Sequence, residues 1–191
     1  MTIPVQRLSA SARDAYRSHL AALDAEDSRL RFGSTIVADV IAGYVERIDF
    51  DRDVVFGVRD DALRVVGAAH LAFMEGGAAE LGVSVDGGHR RRGIGGALVR
   101  RAAAHARNRN VRTLFMYCLA ENAPMMHIAR SAGMLVVAQS GHADAELALP
   151  PADAASLMGE VIDDGIALVD FTLKAQVSTM ARIAQAMREA R

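Results

Sequence analysis

The residues with the clearest chemical potential form a short basic and glycine-rich segment near the middle of the chain. Its members are Arg90, Arg91, Arg92, Gly93, Ile94, Gly95 and Gly96. A guanidinium group pairs with phosphate through parallel hydrogen bonds, and glycine lets a ligand approach the backbone because it has no Cβ atom. The segment therefore predicts a binding site for a polyphosphate.

The segment lies between a predicted strand and a predicted helix. An apolar run at 79–85 precedes it, and Ile94, Ala97, Leu98 and Ala102 follow with helical spacing. The first amides of a helix have no intrahelical acceptor and lie at the positive end of its dipole. The start of this helix is thus expected to attract an anion.

Two common nucleotide-binding motifs do not fit this segment. A P-loop requires Gly-Lys-Ser/Thr, whereas the only lysine of the chain is Lys174. A dinucleotide fingerprint requires G-x-G-x-x-G, and Leu98 occupies the place of the third glycine. The pattern that fits is Arg/Gln-x-x-Gly-x-Gly/Ala, which Arg90 to Gly95 satisfy.

This pattern, with the acid Glu80 on the preceding strand, resembles the acyl-coenzyme A loop of the GNAT family of N-acetyltransferases. A second segment supports the resemblance, which covers about residues 79–134. Four positions there match the family pattern: Asn122, Met125, Ile128 and Gly133.

Two positions depart from the family pattern. Ala129 replaces the tyrosine usually offered as the general acid, and Met134 replaces a final aromatic residue. The acid therefore stays unassigned among Tyr117, Cys118, His127 and Ser131. A short run at 28–32 is similar to bacterial protein-lysine acetyltransferases, which makes that branch the nearest in character.

The resemblance implies a mixed-sheet α/β acyltransferase fold, acetyl-coenzyme A or another acyl-coenzyme A as cosubstrate, and direct attack by an amine. It implies that Glu80 is the base and that the backbone of Val83 and Val85 binds the pantetheine arm. The arginine and glycine segment would bind the diphosphate, and Asn122 would contact the pantetheine. The acceptor is a protein lysine or a small-molecule amine.

Other interpretations stay open. Glu80 could be an inert surface carboxylate or pair with an arginine, and Asn122 could serve only as a helix cap. The whole domain could be a noncatalytic acyl-coenzyme A sensor, an interpretation that Ala129 favours. The eight arginines between residues 87 and 120, with no acid among them, could form an RNA-binding surface or a solvated helix face.

Composition narrows these choices. The net charge is −1 and aromatic residues make up 5% of the chain, which disfavours a nucleic-acid partner. The single cysteine, Cys118, and the scattered histidines predict no disulfide and no metal site. No apolar run reaches the roughly 20 residues of a membrane span, and no signal peptide is recognised. A cytoplasmic protein is expected.

Hydrophobic periodicity predicts the elements that position the loop. A first edge strand lies near 3–8, with a helix capped by Ser11, a break over 24–33 and a helix capped by Thr35 after it. An antiparallel meander follows, with strands at 54–59, 64–74 and 78–85. After it come the loop helix at 94–108, a further strand at 113–118, and a closing hairpin with strands at 134–138 and 145–149.

Pro150 and Pro151 predict a boundary between an acetyltransferase domain, 1–150, and a helical extension, 151–191. Apolar residues recur along one side of the extension, and Gly165 is a candidate interruption. A helix of this length needs a surface to cover its apolar residues. The extension is expected to pack across the core or to form a homodimer with a second copy.

Overall fold

In the computed structural model, which describes residues 2–189, the chain folds around one twisted, mostly antiparallel sheet. The described residues form seven strands in the order β1-β2-β3-β4-β5-β7-β6. The strands are β1 (Gln6–Leu8), β2 (Val54–Arg59), β3 (Val65–Met74), β4 (Ala78–Val85), β5 (Thr113–Leu119), β6 (Leu135–Gln139) and β7 (His142–Ala148). The predicted meander and closing hairpin are confirmed, as is the edge position of β1.

Helices cover both faces of the sheet. They are α1 (Arg13–Ala21), α2 (Ala25–Phe32), α3 (Ala38–Glu46), α4 (Ile94–Asn108), α5 (Ala123–Ser131) and α6 (Ala154–Glu189). One apolar cluster joins α4 to the sheet through Leu98, Val99 and Leu71. A second cluster joins α1 and α3 to the other face through Tyr16, Leu20 and Val45. The sheet is therefore buried on both sides near its centre.

The pairing between β4 and β5 is parallel and short. Only Ala78–Glu80 of β4 pair with Thr113–Phe115 of β5, although β4 continues to Val85 and β5 to Leu119. On their other edges both strands remain paired along their length, β4 with β3 and β5 with β7. The two strands thus diverge after Glu80, and β4 leaves one backbone edge unpaired beside the opening.

The predicted break at 24–33 is wrong, because most of that segment forms α2. The Asp24 carboxylate accepts a hydrogen bond from the Asp27 amide at 2.7 Å, which caps the helix. Gly33 ends it with a φ of +80°, a left-handed conformation that suits glycine. The acidic run that suggested a loop is instead the first turn of a helix, where negative charge is favourable.

The two predicted hydroxyl caps are also wrong. The Ser11 hydroxyl lies 2.8 Å from that of Ser9, and the residue that caps α1 is Ala12. Helix α3 begins after Val37, without a side-chain cap. Both helices are held by the second apolar cluster, which offsets the missing caps.

Helix α6 runs without a break through Gly165, contrary to the predicted interruption. It packs against α4 and contacts β1 near the edge of the sheet. Within residues 2–189, no helix has both the length and the apolarity that a membrane span requires. The division of the chain at residue 150 stays a prediction.

Candidate active site

The opening between β4 and β5 leads into a large cavity of about 1280 Å³. All ten residues that the sequence predicts to bind the cofactor line it: Val83, Val85, Arg90, Arg91, Arg92, Gly93, Ile94, Gly95, Gly96 and Asn122. Helix α2 contributes Asp27, Leu30 and Arg31 to the wall, and α5 contributes Met125, His127 and Ile128. Residues from β4, α2, α4, α5 and α6 therefore surround one space.

The loop that closes one end of the cavity presents the start of α4. Gly93 has a φ of +81° and is the residue before the first helical turn. The Ala97 amide donates to the Gly93 carbonyl at 3.0 Å. The amides of Ile94, Gly95 and Gly96 lie in the first turn, where the helix offers them no carbonyl. The arrangement suits an anion.

The glycines of the loop have different roles. A Cβ atom on Gly95 would lie 2.8 Å from Cδ1 of Ile128, so this glycine lets α4 and α5 approach each other. Gly93 supplies the left-handed turn. The sequence interpretation gave all the glycines one purpose, close approach of a phosphate, and for Gly95 the structure shows a packing role.

The three arginines of the loop also differ. Arg90 forms an ion pair with Asp27, whose side chain is buried under the loop. Arg92 donates to the Gly88 carbonyl at 3.4 Å, and Arg91 has a φ of +60°, which is uncommon for a residue with a side chain. The exposed guanidinium groups of all three remain near the helix start.

Asn122 caps α5. Its carboxamide oxygen accepts a hydrogen bond from the Met125 amide at 3.1 Å, and the side chain is buried at the cavity wall. The predicted capping role is confirmed. The further role, a contact with pantetheine, stays a prediction.

Glu80 lies at the last paired position of β4, where the strands begin to diverge. Its side chain is exposed, and it is not among the residues that line the cavity. Because Ala72 pairs with Glu80 and His70 with Gly82, all four residues share one face of the sheet. Glu80 therefore lies where the opening between β4 and β5 begins, outside the lining of the cavity.

A model of the acetyltransferase (GNAT) family matches residues 19–134. The chain belongs to the GNAT family. The match begins in α1 and ends just after α5, so it includes the divergent strands, the loop and the cavity. A search of curated proteins found no match.

Solved structures share this GNAT fold at low sequence identity. The GNAT domain of S. lividans PAT is 20% identical, with a TM-score of 0.65 over 76% of this chain and 89% of that chain. Ribosomal-protein-alanine N-acetyltransferase from Brucella melitensis is 18% identical, with a TM-score of 0.59 over 76% and 99%. The yncA protein from Salmonella typhimurium, solved with its cofactor acetyl-CoA, is 18% identical, with a TM-score of 0.59 over 81% and 98%.

The position of the usual GNAT tyrosine is filled by Ala129, which is buried. Of the four replacements considered from the sequence, His127 and Ser131 line the cavity. Tyr117 is exposed on β5, and burial raises the pKa of the half-buried Cys118 thiol. Of the four residues, the structure thus places only His127 and Ser131 at the cavity, and it identifies neither as the general acid.

The GNAT resemblance implies that residues 28–47 form one wall of the acceptor groove, and α2 and α3 lie there beside β4 and β3. Sequence reasoning missed the polar contacts that these helices make. Tyr44 of α3 accepts a hydrogen bond from Arg31 at 3.1 Å, and its hydroxyl lies 2.7 Å from Nδ1 of His70. His19 Nε2 lies 2.9 Å from the Ser84 hydroxyl. Burial lowers the pKa of both histidines to about 4, so they are neutral at pH 7. One sequence signal for this part of the wall was available. Asp24 is a residue type that caps helices, and it marks the start of α2.

In the described part of the chain, no group of three or more His, Cys, Asp or Glu side chains is placed to hold a metal ion.

Proposed function

We propose that this GNAT protein is an N-acyltransferase that transfers an acetyl or other acyl group from acyl-coenzyme A to a primary amine. The observation that carries the proposal is the continuity of the cavity. The unpaired edge of β4, the first amides of α4 and the arginines of the loop all face one space. A long ligand with an extended arm and a diphosphate matches that space.

Family membership makes acyl-coenzyme A the cosubstrate, and the residues present fit it. The amides of Ile94, Gly95 and Gly96, with Arg91 and Arg92, would hold the diphosphate. The free edge at Val83 and Val85 would hold the pantetheine arm by strand-like pairing. Bound acyl-coenzyme A supplies an activated thioester carbon.

The protein's part in the reaction is to prepare the amine and stabilise the charge that develops. An ammonium cannot attack, so a base must take its proton, and Glu80 stands at the mouth of the opening for this purpose. The amine nitrogen would form a C–N bond to the thioester carbon, and the C–S bond would break when the tetrahedral oxyanion collapses and releases the thiolate of coenzyme A. Backbone amides at the divergence would stabilise the tetrahedral oxyanion. The thiol leaves with a pKa near 8.5, so a strong general acid is not essential.

Thiol release from acetyl-coenzyme A, with a panel of amines and peptides, tests this proposal. Glu80→Gln should lower kcat about 100-fold or more at neutral pH, because general-base assistance is lost. Glu75→Gln, in the exposed turn before β4, is the matched control and should retain activity. Full turnover by Glu80→Gln would remove Glu80 from the mechanism.

The second candidate function is an acyl-coenzyme A sensor with the same fold. Ala129, in the place of the usual acid, is the observation that favours it. Saturable coenzyme A binding with no thiol release for any acceptor would support the sensor over the enzyme.

We infer a cytoplasmic protein from the free, half-buried Cys118, and we propose neither a nucleic-acid nor a membrane partner.

We propose further that α6 forms a homodimer. An apolar stripe along α6 is 40–70% exposed and consists of Met158, Ile162, Ile166, Val169, Leu173, Val177, Met180 and Met187. Residues 154–171 carry four acids and no base, whereas residues 172–189 carry Lys174, Arg182, Arg188 and a single acid. Two antiparallel copies would cover each stripe and place the acidic half of one opposite the basic half of the other.

Sedimentation of the full chain tests the dimer. The wild-type chain should dimerise with an affinity that falls as salt rises, because opposite charges contribute. Leu173→Glu should yield monomers, whereas Leu168→Glu, on an exposed position outside the stripe, should not. A wild-type monomer at all concentrations, or one that instead binds anionic lipid vesicles, would contradict the proposal.

A further inference from the structure

Arg31 occupies an unusual position for a charged residue. It lies in the last turn of α2 and lines the cavity. Its guanidinium group lies so close above the backbone of β4 that a Cβ atom at Gly82 would overlap it. The cation therefore stands just beyond the point where β4 and β5 diverge.

Neutral groups make the contacts of the Arg31 side chain. Nη2 donates to the Tyr44 hydroxyl at 3.1 Å, the guanidinium stacks 4.8 Å from the centre of the Phe32 ring, and Nε is buried without a partner. Burial raises the pKa of Tyr16 well above its ordinary value, so this neighbour stays neutral. No carboxylate among residues 2–189 forms an ion pair with Arg31 in the structure.

The acids near Arg31 on this side are engaged by other groups. Asp27, one turn earlier on α2, forms an ion pair with Arg90. Asp53 lies 3.5 Å from Nε2 of His70, and His70 in turn contacts Tyr44. Asp53 also pairs with Arg52 at 3.3 Å. Arg31 is half-buried and forms no ion pair, and a partly desolvated cation without an anion is costly, so the site is suited to an anionic group of a ligand.

That anion is distinct from the diphosphate at the loop. A strand rises about 3.3 Å per residue, so Val85, where the loop begins, is about 10 Å from Gly82. In the other direction, Glu80 is about 6.5 Å from Gly82 on the same face of β4. Arg31 over Gly82 and Glu80 on the same face of β4 thus place a positive and a negative group, with no ion pair between them, where β4 and β5 diverge.

We propose that Arg31 binds a carboxylate of the acceptor, so that the acceptor is a small amino acid-like zwitterion rather than a protein lysine. The pair of opposite charges is complementary to an ammonium and a carboxylate on one small molecule. A lysine side chain would instead bring a second cation beside an uncompensated guanidinium, which is unfavourable. This inference rests on the proposed acyltransferase function.

The test compares free α-amino acids with their α-amides as acceptors for acetyl-coenzyme A. The wild-type enzyme should prefer the best amino acid over its amide by roughly tenfold to a hundredfold in kcat/KM, the weight of one hydrogen bond to a charged group. Arg31→Gln should abolish that preference by raising KM for the amino acid. The ammonium group of an amino acid amide has a lower pKa than that of the amino acid, so the two acceptors differ in reactivity even without Arg31. The quantity compared is therefore the acid-to-amide ratio of kcat/KM in the wild type against the same ratio in Arg31→Gln.

Two controls separate this inference from the function on which it rests. Arg29→Gln, which removes a partly exposed arginine of the same helix that does not line the cavity, should keep the preference. Calorimetric titration of the coenzyme A complex with amino acid or amide measures the same contrast without turnover. Retained coenzyme A binding shows that Arg31→Gln is folded. An acid-to-amide ratio of kcat/KM that Arg31→Gln leaves unchanged, equal wild-type affinities for acid and amide, or faster acylation of lysine peptides would overturn the inference.

Discussion

Helices α4 and α6 lie side by side, yet they are held in place by opposite means. α4 buries apolar side chains in the sheet, including Leu98, Val99 and Ala102. The face of α6 that meets α4 is mainly polar, and Ala167 is its only fully buried apolar residue in the described chain. The large apolar residues of α6 point to solvent instead.

Polar contacts hold α6 against α4. Arg101, which is almost fully buried, donates to Glu160 at 3.1 Å and pairs with Asp164. Asn108 donates to Glu160 at 2.7 Å, and His105 also contacts Glu160. Burial of apolar area is insensitive to pH, whereas these contacts require an ionised carboxylate. The comparison predicts that the two helices respond differently to mutation and to acid.

The largest effect is expected in the core beneath α4. Leu98→Ala should lower the free energy of unfolding by about 2–5 kcal/mol, because it leaves a cavity against the sheet. Leu168→Ala, on the exposed side of α6, should change it by less than about 0.5 kcal/mol. Urea denaturation at a concentration where the chain is monomeric measures both. Equal losses would show that α6 is packed as α4 is.

Gly95→Ala should destabilise the chain by about 1–3 kcal/mol. The new methyl group would meet Ile128 and push α5 away from α4, which is the cost of overpacking. Gly88→Ala is the control, because a Cβ atom there meets nothing within 4 Å. An unchanged denaturation midpoint for Gly95→Ala would refute the packing role of this glycine.

Acid should release α6 before it unfolds α4. Partial burial alone would raise the pKa of Glu160, but hydrogen bonds from Asn108, His105 and Arg101 outweigh it and lower the pKa to about 2. The stabilisation is complete above the ordinary pKa of 4.5 and is lost as pH falls through 2. Hydrogen exchange should show α6 amides losing protection over this range, and Glu160→Gln should remove that dependence.

The smallest expected effect has the opposite sign. Gly159 lies inside α6 with open space around it, so alanine fits there without a clash. Gly159→Ala should stabilise α6 by about 0.5–1 kcal/mol, since alanine loses less backbone entropy in a helix. Thermal denaturation followed by circular dichroism measures the gain. A lower melting temperature would mean that another surface already packs against Gly159.

The sequence was informative where the pattern is local. The span of α4, 94–108, the meander and the cap at Asn122 were predicted from periodicity, glycine placement and cap residues. These features depend on neighbours a few positions away. The same locality explains why the cofactor loop was recognised from Arg90 to Gly95.

The sequence was uninformative where the contact partner is distant. Arg101 and Glu160 are 59 residues apart, and nothing in the periodicity of α6 indicates that its polar side is the buried one. The ion pair between Asp27 and Arg90 and the position of Arg31 over Gly82 depend on how α2 lies across β4. The positions of such residues at the cavity wall cannot be predicted from local sequence, because tertiary packing determines them.

Calorimetric titration with coenzyme A and with pantetheine, which lacks the diphosphate, tests the central claim most directly. Coenzyme A should bind with saturable heat, and pantetheine should bind far more weakly, because the first amides of α4 and the loop arginines hold the diphosphate. Absence of heat with coenzyme A, or equal affinity for the two compounds, would contradict the assignment of this cavity.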